Sequence, residues 1–530
     1  MAVGLTFVKL LRLYRLLRRL PPGNFLSATA ANHDSRFPLL TAIVLALVVA
    51  AMNIGLWWWG NLPHGPDDWH GKIGGFAFSS FQRYQDPIKQ DYPSDAEIDR
   101  DLKLVARYSD RIRTYSMLVN PQTYRLAAKD GLKVMAGAEI GRRMENNEKE
   151  IEALIAKARE YPDTITRVIV GNEVLFRNDL TPQQMMAYLD RVRAAVHQPV
   201  SIAEPEYIWL KYPELADHVD FITIHIFPFW NGIPVANGVA LDAALGSYQQ
   251  LQQRFPYKHV VVGEIGWPSN GDRHEHADPS ISNEAIFIRE WLLAAKQRHI
   301  DYYLMEAFDQ PWKEQLSGRT EAYWGIFNAD RQLKFPFTGP VTEDTGWPWK
   351  ALAASLLALL PMILFARRFS RFKLMGRLFF CMLIQLACGL LTWSATLPFN
   401  FYLSWIDWTM LTLLFPAQIA ILAILLINGF EFTEVLWRRE WRRHASMLTP
   451  DPPDRQPFVS IHLACYNEPP EMVIITLDSL AALDYANYEV LVIDNNTKDP
   501  AVWQPVQEYC EKLGKRFRFF HLEPWPGYKA

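Results

Sequence analysis

The chain has 530 residues, half of them apolar, 21% charged and 13% aromatic, with 19 Trp. A net charge of −3 carries no basic bias, so a nucleic-acid partner is not expected. Ordinary Gly and Pro counts exclude a fibrous or disordered chain, and four Cys cannot staple a protein this size. A mean hydropathy near zero averages two unlike kinds of segment.

The first segment (1–37) is basic. Lys9, Arg12, Arg15, Arg18 and Arg19 stand with no acid among them and predict a cytoplasmic N-terminus. Residues 39–59 carry no charge and end in three Trp, which predicts a transmembrane helix over 38–60. Its apolar run is too long for a signal peptide, so it reads as an uncleaved anchor.

Residues 61–346 match the size of a (β/α)8 TIM barrel of about 250 residues. Eight short β-rich runs are predicted as strands, at 71–80, 110–117, 132–140, 165–174, 199–205, 219–230, 259–269 and 301–312. Helical stretches such as EIDRDLKLVARYSD and NEKEIEALIAKAREY separate them, and this alternation predicts a parallel sheet.

Three further spans follow, at 347–366, 378–399 and 408–430. Arg367, Arg368, Arg371, Lys373 and Arg377 lie around the first link, and Arg438, Arg439, Arg442 and Arg443 follow the last span. The intervening link, NFYLSWID, has neither Lys nor Arg. The expected topology therefore places the barrel outside and both termini inside, in a multi-pass protein of a lipid bilayer. A linker (431–456) leads to a strand–helix–strand unit within 457–530 that starts a doubly wound, Rossmann-like domain. Asp494 ends its second strand, where it serves either a nucleotide or the cap of the next loop.

Catalytic groups on such barrels sit at the C-terminal ends of strands. Glu173 closes the fourth strand in VGNEV and Glu264 the seventh in VVGEIGWPS. Cleavage of a glycosidic bond uses such a pair, one carboxyl protonating the leaving oxygen and the other attacking the anomeric carbon. The donor is then expected to have a raised pKa. Asn172 offers an amide to a sugar hydroxyl, and Trp230, Trp267 and Trp312 offer flat faces to sugar rings or simply pack the rim. Spacing alone leaves Glu139 and Glu306 open as alternatives, and a Glu at a strand end is often only a solvated loop residue.

The stretches RIRTYS, IVGNEVLFR, ITIHIFPFW, VVGEIGWPS and AFDQPWK resemble glycoside hydrolase family 17, a family of retaining β-1,3-glucanases and glucan transglycosylases. The resemblance implies Glu173 as acid/base and Glu264 as nucleophile. Asn172, Tyr115, His225, Trp267, Glu306, Trp312 and Lys313 are implied on the walls of a cleft for a β-glucan oligosaccharide or polysaccharide, with no metal or cofactor in the barrel. Phe227 and Gln310 depart from the family pattern, and with Phe227 unable to hydrogen-bond, Tyr115 is expected to orient Glu264.

CYNEP, VLVIDNN and GYKA resemble the start of glycosyltransferase family 2. There Asp494 would bind UDP-glucose, with Mg2+ or Mn2+ needed only by a complete transferase domain. The later Asp-x-Asp motif does not follow before Ala530, so no polymer synthesis is expected of this chain alone. The combination resembles bacterial NdvB-type β-glucan synthases of the inner membrane, with the barrel periplasmic. It implies a barrel that remodels the emerging glucan, or an inactive one that merely guides it.

Overall fold

The computed structural model describes residues 38–439 and 456–523. The basic stretch at 8–20, Arg442, Arg443 and the GYKA segment lie outside the described residues. The described chain forms two compact units, divided at Arg438/Arg439.

The first unit opens with helix α1 (Leu39–Gly60). The strands β1 (Phe76–Ala77), β2 (Arg111–Arg113), β3 (Lys133–Ala138), β4 (Ile165–Asn172), β5 (Val200–Pro205), β6 (Ile222–Ile226), β7 (Val260–Ile265) and β8 (Asp301–Leu304) follow. All neighbours pair in parallel, and β1 closes on β8 with Phe76 opposite Leu304. All eight strands stand where the sequence places them, each shorter than predicted, and in most the lost residues are C-terminal ones that run on into the loops of the site.

Between the strands lie α2 (Asp95–Ala106), α3 (Thr123–Lys129), α4 (Met144–Glu160), α5 (Pro182–Ala195), α6 (Glu206–Lys211), α7 (Val239–Arg254) and α8 (Ile281–Arg298), and α9 (Glu314–Ser317) follows β8. Local sequence starts several of them. Ser94 and Glu97 form a reciprocal capping box on α2, and Thr181 and Gln184 do the same on α5 with Pro182 behind the cap.

Alternation along the strands builds two cores. Val134, Val168, Val170, Ile202, Ile224 and Val262 pack outward against helix residues such as Ile98, Leu154, Leu189 and Leu292. Met135, Ile169, Ala203, Phe221, Val261 and Tyr303 form a second cluster.

Three long helices follow, α10 (Trp347–Arg368), α11 (Leu374–Asn400) and α12 (Trp405–Trp437). With α1 they are four helices long and apolar enough to cross a membrane, as the sequence predicts. Small residues Ala42, Ala46 and Ala358 let the helix backbones approach, around Met362, Phe365 and Cys381. Asn53 donates to Ala351 O at 3.2 Å and Ser355 Oγ at 3.0 Å, which ties α1 to α10.

The ends of these helices differ in chemistry. Trp57, Trp58, Trp59, Trp347, Trp349, Trp405 and Trp408 stand at the helix ends next to the barrel or to the α11–α12 link, and Arg367, Arg368, Lys373, Arg377 and Arg438 at the opposite ends.

The second unit contains β9 (Val459–Cys465), α13 (Pro470–Ala481), β10 (Tyr488–Asn495), α14 (Pro500–Leu513) and β11 (Phe517–Leu522). Its three parallel strands run in the order β11–β10–β9. The predicted strand–helix–strand unit is present and continues by one more helix and strand.

Candidate active site

At the C-terminal end of the barrel a cleft of about 1550 Å3 is open to solvent. Its position follows from the shortened strands. β4 ends in Gly171-Asn172, and Gly171 has a φ of +86° with Val174 Cγ2 only 2.6 Å from where a Cβ would sit. Glycine is therefore required there, and the turn that it allows carries Glu173, itself at φ +55°, into the cleft. Glu264 projects from β7, where its neighbour across the ladder is His225 of β6.

These three side chains converge. One polar atom from each of Glu173, His225 and Glu264 lies within 4.8 Å of the other two. His225 Nδ1 is 2.8 Å from Glu173 Oε1, and its Nε2 is 3.4 Å from Glu264 Oε1. Arg113 of β2 completes the group. Its Nη1 donates to Glu264 Oε1 at 3.0 Å and Gly263 O at 2.8 Å, and lies 3.0 Å from His225 Nε2. Its Nη2 donates to Asn172 Oδ1 at 2.5 Å. With Arg113 donating into Nε2, the ring proton belongs on Nδ1, where it points at Glu173.

Arg113 is the residue that sequence reasoning missed. It is almost wholly buried, and its guanidinium stacks over Tyr115 at 5.0 Å. Gly263 makes room for it, since a Cβ there would stand 2.9 Å from Arg113 Nη1. The available signal was a second arginine inside RIRTYS, two residues after Arg111 and so on the same face of the strand. Arg113 and His225 thus join Tyr115, whose phenol faces the Glu264 carboxylate, in the orienting role that sequence reasoning gave to Tyr115. The Tyr115 hydroxyl lies 3.7 Å from Met305 Sδ. Burial and the nearby Glu264 charge push its phenol well above the usual range.

The environment of Glu173 also differs from expectation. Burial raises its carboxyl pKa, but the hydrogen bond from His225, with the charges of Arg177 and Arg113, lowers it overall. At rest the expected donor is thus a carboxylate. Underneath, Glu204 is fully buried and accepts Leu175 N–H at 2.8 Å and Phe176 N–H at 3.2 Å, pinning the turn after Glu173. Burial pushes the Glu204 carboxyl up to about 8.

Tyr115, Asn172, His225, Glu306, Trp312 and Lys313 all line the cleft, as do Glu139, Phe227 and Trp230. Glu306 is buried against Lys313 Nζ at 2.6 Å, and burial raises it to about 7. Gln310 accepts the indole N–H of Trp312 at 2.8 Å and donates to Ser79 O at 2.9 Å, which fixes that ring at the cleft edge.

Trp267 does not line the cleft. It stands two residues past the end of β7 and packs into the core against Phe229 and Phe287, its indole donating to Asp278 O at 3.1 Å. The expected sugar platform is a core residue, its ring fully buried and outside the cleft lining.

Glu173, His225 and Glu264 could also offer ligands to a metal ion. Arg113, however, places its own positive charge against both Glu264 and His225.

In the second unit Asp494 is buried at the C-terminal end of β10. It accepts from Thr497 Oγ1 at 2.6 Å and lies 2.7 Å from His521 Nδ1. The local cap foreseen for it is therefore present.

Residues 75–325 match the BtgE/BtgC glycoside hydrolase domain, and residues 460–528 match glycosyl transferase family 2. A glucan 1,3-beta-glucosidase of Schizosaccharomyces pombe is 29% identical over 252 residues, 44% of this chain and 78% of the relative. A glucan 1,3-beta-glucosidase of Arthroderma benhamiae is 26% identical over 265 residues, 45% of this chain and 83% of the relative. Among solved structures, a glycoside hydrolase family 17 beta-1,3-glucanosyltransferase from Rhizomucor miehei is 27% identical with a TM-score of 0.45. It covers 50% of this chain and 97% of its own. The barrel at 75–325 thus matches the BtgE/BtgC glycoside hydrolase domain, and the same chain carries a segment that matches glycosyl transferase family 2.

Proposed function

We propose that the barrel is a retaining β-1,3-glucan transglycosylase and hydrolase, anchored in a membrane by the four apolar helices. The observation that carries the reading is the approach of the Glu173 and Glu264 carboxylates to within 4.8 Å. Inverting enzymes leave roughly 6.5–9.5 Å for a water, whereas retaining pairs stand about 5–5.5 Å apart. The names of the relatives supply the substrate class, β-1,3-glucan.

In this reading Glu264, held by Arg113, attacks the anomeric carbon while Glu173 gives its proton to the departing oxygen. His225 occupies one Glu173 oxygen and leaves the other for that proton. Glu173 must first take up the proton. Burial is already the largest influence on it, and a sugar ring over the cleft adds to that burial. In the second step Glu173 removes a proton from the incoming hydroxyl, which releases the sugar from Glu264. Water gives hydrolysis and a sugar hydroxyl gives transfer. No cofactor is needed for either.

The basic residues at one set of helix ends support a barrel on the outer, periplasmic face with those ends in the cytoplasm. The segment at 460–528 then belongs to a UDP-glucose-dependent synthase on the inner face, with Asp494 toward the uracil and Mg2+ or Mn2+ at a complete site. Coupling to a synthase favours transfer, since hydrolysis would destroy the product.

The test incubates the full chain in detergent with laminari-oligosaccharides and follows the products by chromatography. Longer products report transfer and shorter ones alone report hydrolysis. An unchanged profile overturns the reading in favour of a barrel that only guides glucan.

A further inference from the structure

The link between α11 and α12 is four residues, Phe401 to Ser404, and it is bound to the barrel. Tyr402 makes most of the contact. Its hydroxyl donates to Asp309 Oδ2 at 2.8 Å and accepts Ala329 N–H at 2.8 Å. Its backbone N–H donates to the Tyr323 hydroxyl at 3.1 Å, and the two phenol rings stack at 4.9 Å. Arg83 lies over the Tyr402 ring at 5.3 Å, and Arg319 over Phe401 at 4.5 Å.

The partners of Tyr402 belong to one piece of the cleft wall. After β8 the chain at 306–310 pairs with 322–327 as a short ribbon. Glu306 N–H donates to Trp324 O, Ile326 N–H to Glu306 O, and Asp309 N–H to Phe327 O, each at 2.9 Å. Glu306 and Trp324 of this ribbon line the cleft, as does the adjoining Glu321. The ribbon is held from within by buried Asp309, whose Oδ1 accepts Gly325 N–H at 2.8 Å and Lys334 Nζ at 3.1 Å. Tyr402 supplies the donor to the other oxygen. A buried carboxylate oxygen that loses its donor carries a desolvation cost, so removal of the phenol loosens the ribbon.

We propose that the α11–α12 hairpin is a clasp on the cleft wall, and that Tyr402 is a positioning residue for Glu306, Glu321 and Trp324. Glucan affinity in the barrel then depends on a residue held between two membrane helices. The kinetic part of this proposal rests on the reading of the barrel as a glucan-acting enzyme; the structural part does not.

The experiment compares the wild-type full chain with Tyr402→Phe and Tyr402→Ala in detergent. Amide hydrogen exchange is read at 322–329 and, for reference, in β4. Expected for Tyr402→Ala is exchange roughly tenfold faster at 322–329 with β4 unchanged. KM for laminari-oligosaccharides should rise about fivefold with kcat within about twofold. Tyr402→Phe keeps the ring stack, so it should free the Ala329 amide with a smaller rise in KM.

Exchange at 322–329 that is unchanged in both variants overturns the clasp, as does a loss confined to kcat. Should Tyr402→Ala loosen β4 as well, Tyr402→Phe alone decides between these outcomes. A wild-type chain inert toward glucan overturns the functional reading instead, and the exchange result still decides the clasp.

Discussion

The two glutamates are distinguishable one residue at a time. Glu264→Gln removes the attacking oxygen and is expected to abolish turnover of every substrate. Glu173→Gln should lose unactivated glucan yet retain attack on a nitrophenyl glycoside, whose leaving group needs no proton. Azide should then restore its turnover and give the β-glycosyl azide, read by NMR; an α-azide from Glu173→Gln, or a β-azide from Glu264→Gln, would reverse the two roles. Arg113 makes a separate prediction. Arg113→Lys keeps a charge but loses the fork that reaches Glu264, His225 and Asn172 at once. The expected result is a fall in kcat of about 10²-fold with the fold retained, measured by steady-state kinetics and thermal melting. Arg113→Met strands a buried carboxylate and should cost about 3–5 kcal/mol of stability by the same melting assay.

At the scale of elements, the turn after β4 is held by a buried acid on β5. Glu204 is raised to about 8 in the fold, so the folded state binds its proton between the ordinary carboxyl range and pH 8. Stability from this group is therefore fully present below about pH 4.3 and is lost as pH rises toward 8. Glu204→Gln should flatten that dependence, seen as a barrel melting midpoint that varies less from pH 5 to 8. It should also cost about 1 kcal/mol, because an amide NH2 would face one of the two turn amides. What was legible in the sequence divides along the same line. Short β-rich runs and apolar stretches of about 20 residues are local patterns, and all eight strands and all four long helices follow from them. Glu173 and Glu264 were legible because each ends its strand inside a distinctive run. Arg113 was not, since its partners lie 59 to 151 positions away along the chain. Trp267 misled for the opposite reason: it stands three residues from Glu264, but it lies past the end of β7 and its ring is fully buried. Tyr402 sat in a link whose only visible property was the lack of Lys and Arg.

At the scale of the molecule, the chemistry of the helix ends predicts a topology. Reporters fused near residue 200 should read as outside, and fusions near 372 and 450 as inside; an inside signal at 200 would overturn the membrane assignment. The barrel itself meets the helices in more than one place. His64 and Val341 exchange both backbone hydrogen bonds at 2.7 Å, so the strand arriving from α1 and the strand departing to α10 are pinched together. Mechanically they make a single stalk, and a body on one stalk can still swivel. Tyr402 adds a grip at another part of the barrel, on Asp309, Tyr323 and Ala329, and removes that swivel. A cleft that cannot turn presents one fixed direction to a polymer. In a bilayer it would meet chains growing from the surface repeatedly and at high local concentration, while chains drifting in from bulk solution would have to find its orientation by chance.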